Sequence, residues 1–251
     1  MQFIDTHCHL DDSQFDVDRD AVIQRAMQAG IEVFVVPSVE EGGWQILSEL
    51  SRKSTSIKPA YGLHPWFCER HRQAALELLA ERAEKAVAIG ECGLDFASGR
   101  TPEKEQLSWL RPQLEIACSA GIPVIVHAYK SLDRIHAEIR RYPDLTGVIH
   151  SFSGSLQQAE KMIEQGFHLG IGSAVMAKGA KRLREVVQRM PLDRMLLETD
   201  APFQPGPKHS GQRNEPEYLI EIAAEVATIR DISLQELASA TLHNSRELFR
   251  L

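Results

Sequence analysis

Phe3-Ile4-Asp5-Thr6-His7-Cys8-His9-Leu10 opens the chain and decides how the rest of it is read. The stretch starts apolar, passes through Asp5 and Thr6, and ends in two histidines one residue apart. Side chains of an extended strand alternate between its faces, so His7 and His9 point one way and Cys8 the other. Two imidazoles on one face, about 6.5–7 Å apart along the chain, can reach a single divalent metal. Ten histidines in 251 residues make one such pair weak evidence by itself. Its weight comes from later apolar runs that each close on another candidate ligand. These are AVAIGECGLD with Glu91, VIVHA with His127, GVIHS with His150 and MLLETDAP with Asp200. The chain therefore reads as a scaffold that gathers His7, His9, Glu91, His127, His150 and Asp200 around one point.

Outward from that stretch, runs rich in Val, Ile, Phe and Ala recur at Gln2–Thr6, Glu32–Pro37, Lys58–Leu63 and Ala86–Glu91. They continue at Pro123–His127, Gly147–His150, Phe167–Gly172 and Met195–Asp200. Several are continuously apolar, the mark of strands buried on both faces. Helical periodicity fills the gaps, as in Asp18–Ala29 with Gly30 as its stop, Trp44–Arg52 and Ala74–Glu84. Pro102–Ala120 is the longest, with Thr101 as expected N-cap and an expected kink or break at Arg111–Pro112. Leu132–Arg141, Gln157–Glu164, Ala180–Met190, Glu217–Thr228 and Leu234–Phe249 complete the helices. Repeated strand-then-helix implies a parallel sheet, and eight such units imply an α/β (β/α)₈ TIM barrel. No Gly/Ser/Pro-rich linker divides residues 1–251, so one domain is expected. A doubly wound open sheet is the alternative. It calls for a GxGxxG after the first strand, where this chain has histidines.

Composition narrows the function classes. The chain is 43% hydrophobic and 25% charged, with no apolar run near the roughly 20 residues that span a bilayer. No basic and apolar leader precedes the first strand, so a cytoplasmic monomer without a membrane or obligate protein partner is expected. Cys8, Cys68, Cys92 and Cys118 lack CxxC spacing and read as free thiols. A net charge of −7 excludes nucleic-acid binding by a general positive field. A polyanionic substrate would need bound metal and a few placed cations.

Six nitrogen and carboxylate donors at one barrel mouth exceed the three or four of a catalytic zinc and suit two divalent ions sharing a carboxylate. The expected division is His7, His9 and Asp200 on one ion, His127 and His150 on the other, and Glu91 between them. Zinc, manganese or magnesium fits such a set. Two cations create a water nucleophile at neutral pH, with Asp200 placed to accept its proton as general base. Lys130, Lys178, Lys208, His209 and Arg213 are the loop cations on the expected active face. Asp95, Ser151 and Ser153 are candidates for orienting the ligands. His71, His136, His168 and His243 read as packing or surface residues.

The opening DTHCHLDDSQFDVDRDAVIQRAMQAGI resembles the start of the TatD family of metal-dependent hydrolases. So do GLHP at Gly62–Pro65, GECGLDF at Gly90–Phe96 and PVIVHA at Pro123–Ala128. HSFSGS at His150–Ser155, LLETDAP at Leu196–Pro202 and RNEP at Arg213–Pro216 continue the match in order. The resemblance implies a TIM barrel, two metals and deoxyribonuclease activity, often 3′-to-5′ exonucleolytic. It implies the same six ligands, with His64 and the loop around Arg213 near the substrate. Many members carry His-Pro-His where this chain has His64, Pro65 and Trp66. Trp66 removes one imidazole from the substrate side and offers a ring that can stack on a base.

DNA cleavage is thus the first functional expectation, with Glu91 and Asp200 catalytic and His64, Trp66, Lys130 and Arg213 as substrate contacts. Hydrolysis of a carbonyl centre (an amide, an ester or aminoacyl-tRNA) uses the same nucleophile and is the second. A non-catalytic metal-binding module is the third, and the retention of all six donors counts against it.

Overall fold

The computed structural model describes residues 1–251 as eight parallel strands in one sheet, ordered β1 to β8 as in the sequence. The strands are β1 (Phe3–Asp5), β2 (Ile31–Ser38), β3 (Ile57–Tyr61) and β4 (Ala88–Asp95). β5 (Val124–Tyr129), β6 (Gly147–Ile149), β7 (Phe167–Ile171) and β8 (Met195–Leu197) follow. Thr6 N–H donates to the Leu197 carbonyl at 3.1 Å and Asp200 N–H to the His7 carbonyl at 2.8 Å, bringing the first and last strands together. The barrel is nearly closed.

Helices α1 (Arg19–Ala29), α2 (Trp44–Lys53), α3 (Gln73–Arg82) and α4 (Glu103–Ala120) follow the first four strands. α5 (Leu132–Ile139), α6 (Leu156–Glu164), α7 (Lys181–Arg189), α8 (Leu219–Arg230) and α9 (Leu234–Phe249) complete the outer ring. Gly30 ends α1 at φ 105°, a left-handed cap that glycine adopts without a Cβ clash. No helix is long and apolar enough to cross a membrane.

α4 differs from its sequence reading at its N-cap and in having no break at Pro112. Pro102, not Thr101, occupies the N-cap position, and the helix continues through Pro112. Proline deprives the preceding turn of a donor. The carbonyl left without that donor is Ser108, on the exposed side of the helix, while the Gln113 side-chain amide donates to the neighbouring Trp109 carbonyl at 3.0 Å.

Two apolar layers hold the barrel. The larger lies between sheet and helices, where Phe34, Leu94, Val126 and Ile149 meet Leu47, Leu114 and Ile135. The smaller fills the barrel floor with Ile4, Val35, Ala60, Ala88, Ile125, Val148 and Leu196, plugged by Leu248 and Phe249 of α9. In register with Val148 on the same layer stands His168, buried rather than at the surface.

Alternation carries the inward-facing positions of that floor up to the next layer. From Ile125 it reaches His127, from Val148 His150, from Leu196 Glu198 and from β7 Gly170. A methyl at Gly170 would overlap the Glu198 carboxylate, so glycine there makes room for a buried acid. Gly170→Ala is expected to lower stability by about 1–3 kcal/mol through overpacking, read as a shift of the urea midpoint. An unchanged midpoint would show that Glu198 can move aside.

Candidate metal centre at the barrel mouth

The layer above the apolar floor is polar and buried. His7, Glu91, His150 and Asp200 are each less than a tenth exposed, as are His9 and His64. Two breaks in strand alternation deliver them. In β4, Ile89 pairs with Val124 and Cys92 with Val126, so three residues span what two span on β5. The bulge turns Cys92 toward the helices and Glu91 toward the barrel axis. At the start of the chain β1 stops at Asp5, so His7 and His9 lie just beyond the assigned strand rather than on it. Thr6 N–H bonds to β8 and Cys8 N–H to the Val35 carbonyl of β2, with Cys8 in the outer core as expected. Asp200 also lies past its strand, at φ 60°.

Glu91 is the hub. Its Oε2 lies 3.2 Å from His7 Nε2 and 3.6 Å from His9 Nε2. Asp200 Oδ1 stands 3.5 Å and 3.3 Å from the same two nitrogens, which are 3.2 Å apart. Donors about 2.0–2.1 Å from one tetrahedral ion lie about 3.3–3.4 Å from one another, so this spacing fits a divalent cation. Glu91 Oε1 faces a second set: His150 Nε2 at 2.8 Å, His127 Nδ1 at 3.1 Å and His64 Nε2 at 3.2 Å. His127 Nδ1 and His150 Nε2 are 3.3 Å apart.

Hydrogen bonds behind the rings decide which nitrogen offers a lone pair. His9 Nδ1–H donates to the Pro37 carbonyl at 3.0 Å, leaving Nε2 as the donor atom toward the cluster. His127 Nε2–H donates to Asp95 Oδ2 at 2.9 Å, leaving Nδ1. His64 is the reverse case. Its Nδ1 accepts the Trp66 N–H at 3.2 Å, so neutral His64 presents an N–H, not a lone pair, to the cluster. Within ligand distance of Glu91, it acts there as a hydrogen-bond donor. Gln204 Nε2 donates to Asp200 Oδ2 at 2.6 Å and turns Oδ1 toward His7 and His9.

The charges agree with a cation site. Burial opposes ionisation of Glu91, but the surrounding imidazoles, His150 foremost, outweigh it and hold the carboxyl well below its usual range. Burial likewise opposes charge on His9, yet Asp200 and Glu91 lift it to about 9. His64 goes the other way, since burial pushes it down to about 4. The carboxylates thus demand positive charge, which a divalent ion supplies as well as imidazolium protons do.

Several residues that shape the mouth have no signature in the sequence. Gln106 of α4 clamps Asp95, taking its N–H at 2.7 Å and donating to its carbonyl at 2.7 Å. Gln113, two turns on, does the same for Leu63, next to His64. Glu198 Oε1 takes the Ser151 N–H and lies 3.6 Å from His150 Nδ1. Asp95, an expected orienting residue, also accepts the Trp66 indole N–H at 2.6 Å.

Among the expected substrate contacts, Trp66 is half exposed beside His64 and His127, and Lys130 is exposed with its ammonium 5.3 Å from the Tyr129 ring centre. Arg213 is placed differently. It makes four hydrogen bonds, to Asp18 twice, Glu215 and the Gln14 carbonyl, and covers the Phe15 ring. A guanidinium so committed ties the loop after β8 to the one before α1 and has little left for a phosphate. Lys208 and His209 pair with Glu221.

A (β/α)₈ barrel with histidines and carboxylates converging above its strands belongs to the class of metal-dependent hydrolases. The family profile described as TatD related DNase matches residues 4–250, and the chain belongs to the TatD family. It is 38% identical to the uncharacterized metal-dependent hydrolase YjjV of Escherichia coli, over 100% of this chain and 98% of that protein. The crystal structure of that TatD homolog superposes with a TM-score of 0.93 over 99% of this chain and 98% of the other, at 36% identity. A protein named 3′-5′ ssDNA/RNA exonuclease TatD from Erwinia amylovora is 34% identical over 98% of this chain and 99% of its own. A TatD family hydrolase from Entamoeba histolytica has a TM-score of 0.88 at 25% identity, covering 99% of this chain and 98% of its own. The protein is a metal-dependent hydrolase of ester bonds.

Proposed function

We propose that the protein is a two-metal deoxyribonuclease that removes nucleotides from DNA ends in the 3′-to-5′ direction. The observation that carries this reading is the division of the Glu91 carboxylate, with Oε2 toward His7 and His9 and Oε1 toward His127 and His150. His7, His9 and Asp200 would hold one ion and His127 and His150 the other, with Glu91 shared. Nitrogen-rich sets of this kind suit zinc better than magnesium. When bound, the ions neutralise a phosphoryl group and make a water nucleophile available at neutral pH.

The chain's own residues do the rest. Asp200, beside His7 and His9, accepts the proton of the attacking water. His64 Nε2–H, which faces Glu91 Oε1 at 3.2 Å in this structure, would be shared with an oxygen of the scissile phosphate once substrate is bound. Asp95 and the Pro37 carbonyl hold His127 and His9 in the tautomers the site requires. The name of the Erwinia relative supports the direction of attack and an unpaired substrate.

The test is metal analysis of the purified protein, followed by incubation with end-labelled single- and double-stranded DNA. Stepwise shortening from the 3′ end is the expected result. Cleavage of amide or carboxylic ester substrates with DNA left intact would move the reading to a carbonyl hydrolase.

Salt should weaken DNA binding only gently. With a net charge of −7 and few free cations at the mouth, two or three phosphate contacts predict a slope of about −1.5 to −2 in log affinity against log salt. A slope several times steeper would reveal a basic surface elsewhere on the barrel.

A further inference from the structure

Trp66 is unusual among the aromatic side chains of the barrel because it is both exposed and anchored. Nearly half of it, 49%, is open to solvent, whereas Trp44 is 1% exposed. Burial therefore does not explain an indole at this position. Its Nε1–H donates to Asp95 Oδ2 at 2.6 Å, and that same oxygen accepts His127 Nε2–H at 2.9 Å. Its ring centre stands 5.3 Å from His64 and 6.1 Å from His127. The Arg100 guanidinium lies over the ring, 4.0 Å from its centre. Arg100 approaches Asp95 only to 3.7 Å, without a hydrogen bond to it.

The backbone beneath is equally fixed. Gln106 clamps Asp95 and Gln113 clamps Leu63, while the His64 carbonyl accepts from His71 at 2.9 Å. A flat ring is thus held at a set distance from the Glu91 cluster with the Arg100 guanidinium over one of its faces, so a base stacks on the guanidinium plane or on the opposite face of the indole. Stacking platforms for unpaired bases combine these parts: an aromatic face, a positive charge for the backbone, and little freedom to lose on binding.

We propose that Trp66 and Arg100 form a nucleobase-stacking subsite for the unpaired nucleotide adjoining the phosphate held at the Glu91 cluster. The proposal rests on the nuclease reading and specifies its substrate as a strand end with unpaired bases. A base-paired end cannot offer its face to the indole without fraying. Single-stranded ends and frayed termini are then preferred over blunt duplexes. Arg100 contributes to both the ring contact and the adjoining phosphate.

The experiment compares wild type, Trp66→Ala and Trp66→Phe, each metal-loaded. The substrates are single-stranded oligonucleotides that are intact or carry one abasic site at successive positions from the cleaved end. For wild type, one abasic position near the end should raise KM. Trp66→Ala should raise KM for the intact strand by roughly 5- to 100-fold, the range of one base–aromatic stack, with kcat little changed. It should also erase the penalty at that abasic position. Trp66→Phe keeps a ring but loses the indole donor and should stay close to wild type in KM. Tryptophan fluorescence of wild type should be quenched by a phosphorothioate-linked single strand, and that quenching should vanish in Trp66→Phe.

The proposal is overturned if Trp66→Ala keeps the wild-type abasic penalty. It is also overturned if kcat falls at constant KM, or if Trp66→Phe behaves as Trp66→Ala, because Trp66 would then act only through Asp95 on His127. Any of these three results, with a wild type that cleaves DNA, leaves the nuclease reading standing. A wild type that neither cleaves nor binds DNA removes both.

Discussion

Glu91→Gln is expected to release metal from both halves of the centre, because one carboxylate serves two donor sets. The substitution keeps size but exchanges an anion for a neutral amide whose NH₂ would face the imidazole nitrogens. His150 Nε2, 2.8 Å from Oε1, would then confront either a donor or a much weaker acceptor. His127→Ala should weaken only the second set, since His7, His9 and Asp200 keep their mutual spacing. Turnover of Glu91→Gln should fall about 10³-fold, the equivalent of several kcal/mol of lost charge stabilisation. Elemental analysis and activity measured on one sample make the check, with circular dichroism to confirm folding. One tightly bound metal per wild-type chain, unaffected by Glu91→Gln, would sink the shared-carboxylate arrangement.

Asp200→Asn separates proton acceptance from ligation. Burial opposes ionisation of Asp200, but His9 and His7 outweigh it and hold the carboxyl below its usual range, so it is ionised at neutral pH. Oδ1 faces the cluster and Oδ2 is already bonded to Gln204. Asparagine keeps one coordinating oxygen and loses the proton acceptor. The amide NH₂ would face Gln204 Nε2, so the Gln204 amide is expected to flip and offer its oxygen instead. The variant should fold, retain at least one metal and lose about 10²–10⁴-fold in turnover, with substrate affinity changed far less. Single-turnover cleavage with metal content from the same preparation is the measurement. Near wild-type turnover would assign the proton to another group, and complete loss of metal would make Asp200 a structural ligand only.

Glu198 shows how far sequence reading extends into such a site. It stands in LLETDAP two residues before Asp200, but only its inward direction, with the carboxylate against Gly170, makes it the buried acid beside His150. The same register argument, applied to the sequence, would have placed it there once Leu196 was known to face the barrel floor.

By itself the sequence determined the (β/α)₈ architecture, because hydrophobic period and helix punctuation are local properties repeated eight times. It also determined the six residues that converge, since each closes an apolar run and barrel strands end on one face. Tertiary structure alone decided which of them face each oxygen of Glu91. The β4 bulge, which turns Glu91 inward, depends on pairing with β5. The tautomers of His9, His64 and His127 depend on Pro37, Trp66 and Asp95, which adjoin them only in space or across a turn. Arg213 looked free in its loop, and its commitment to Asp18 appears only when residues 195 positions apart meet. Residue type and period are carried along the chain, whereas hydrogen-bond partners and charge neutralisation belong to neighbours that folding brings together.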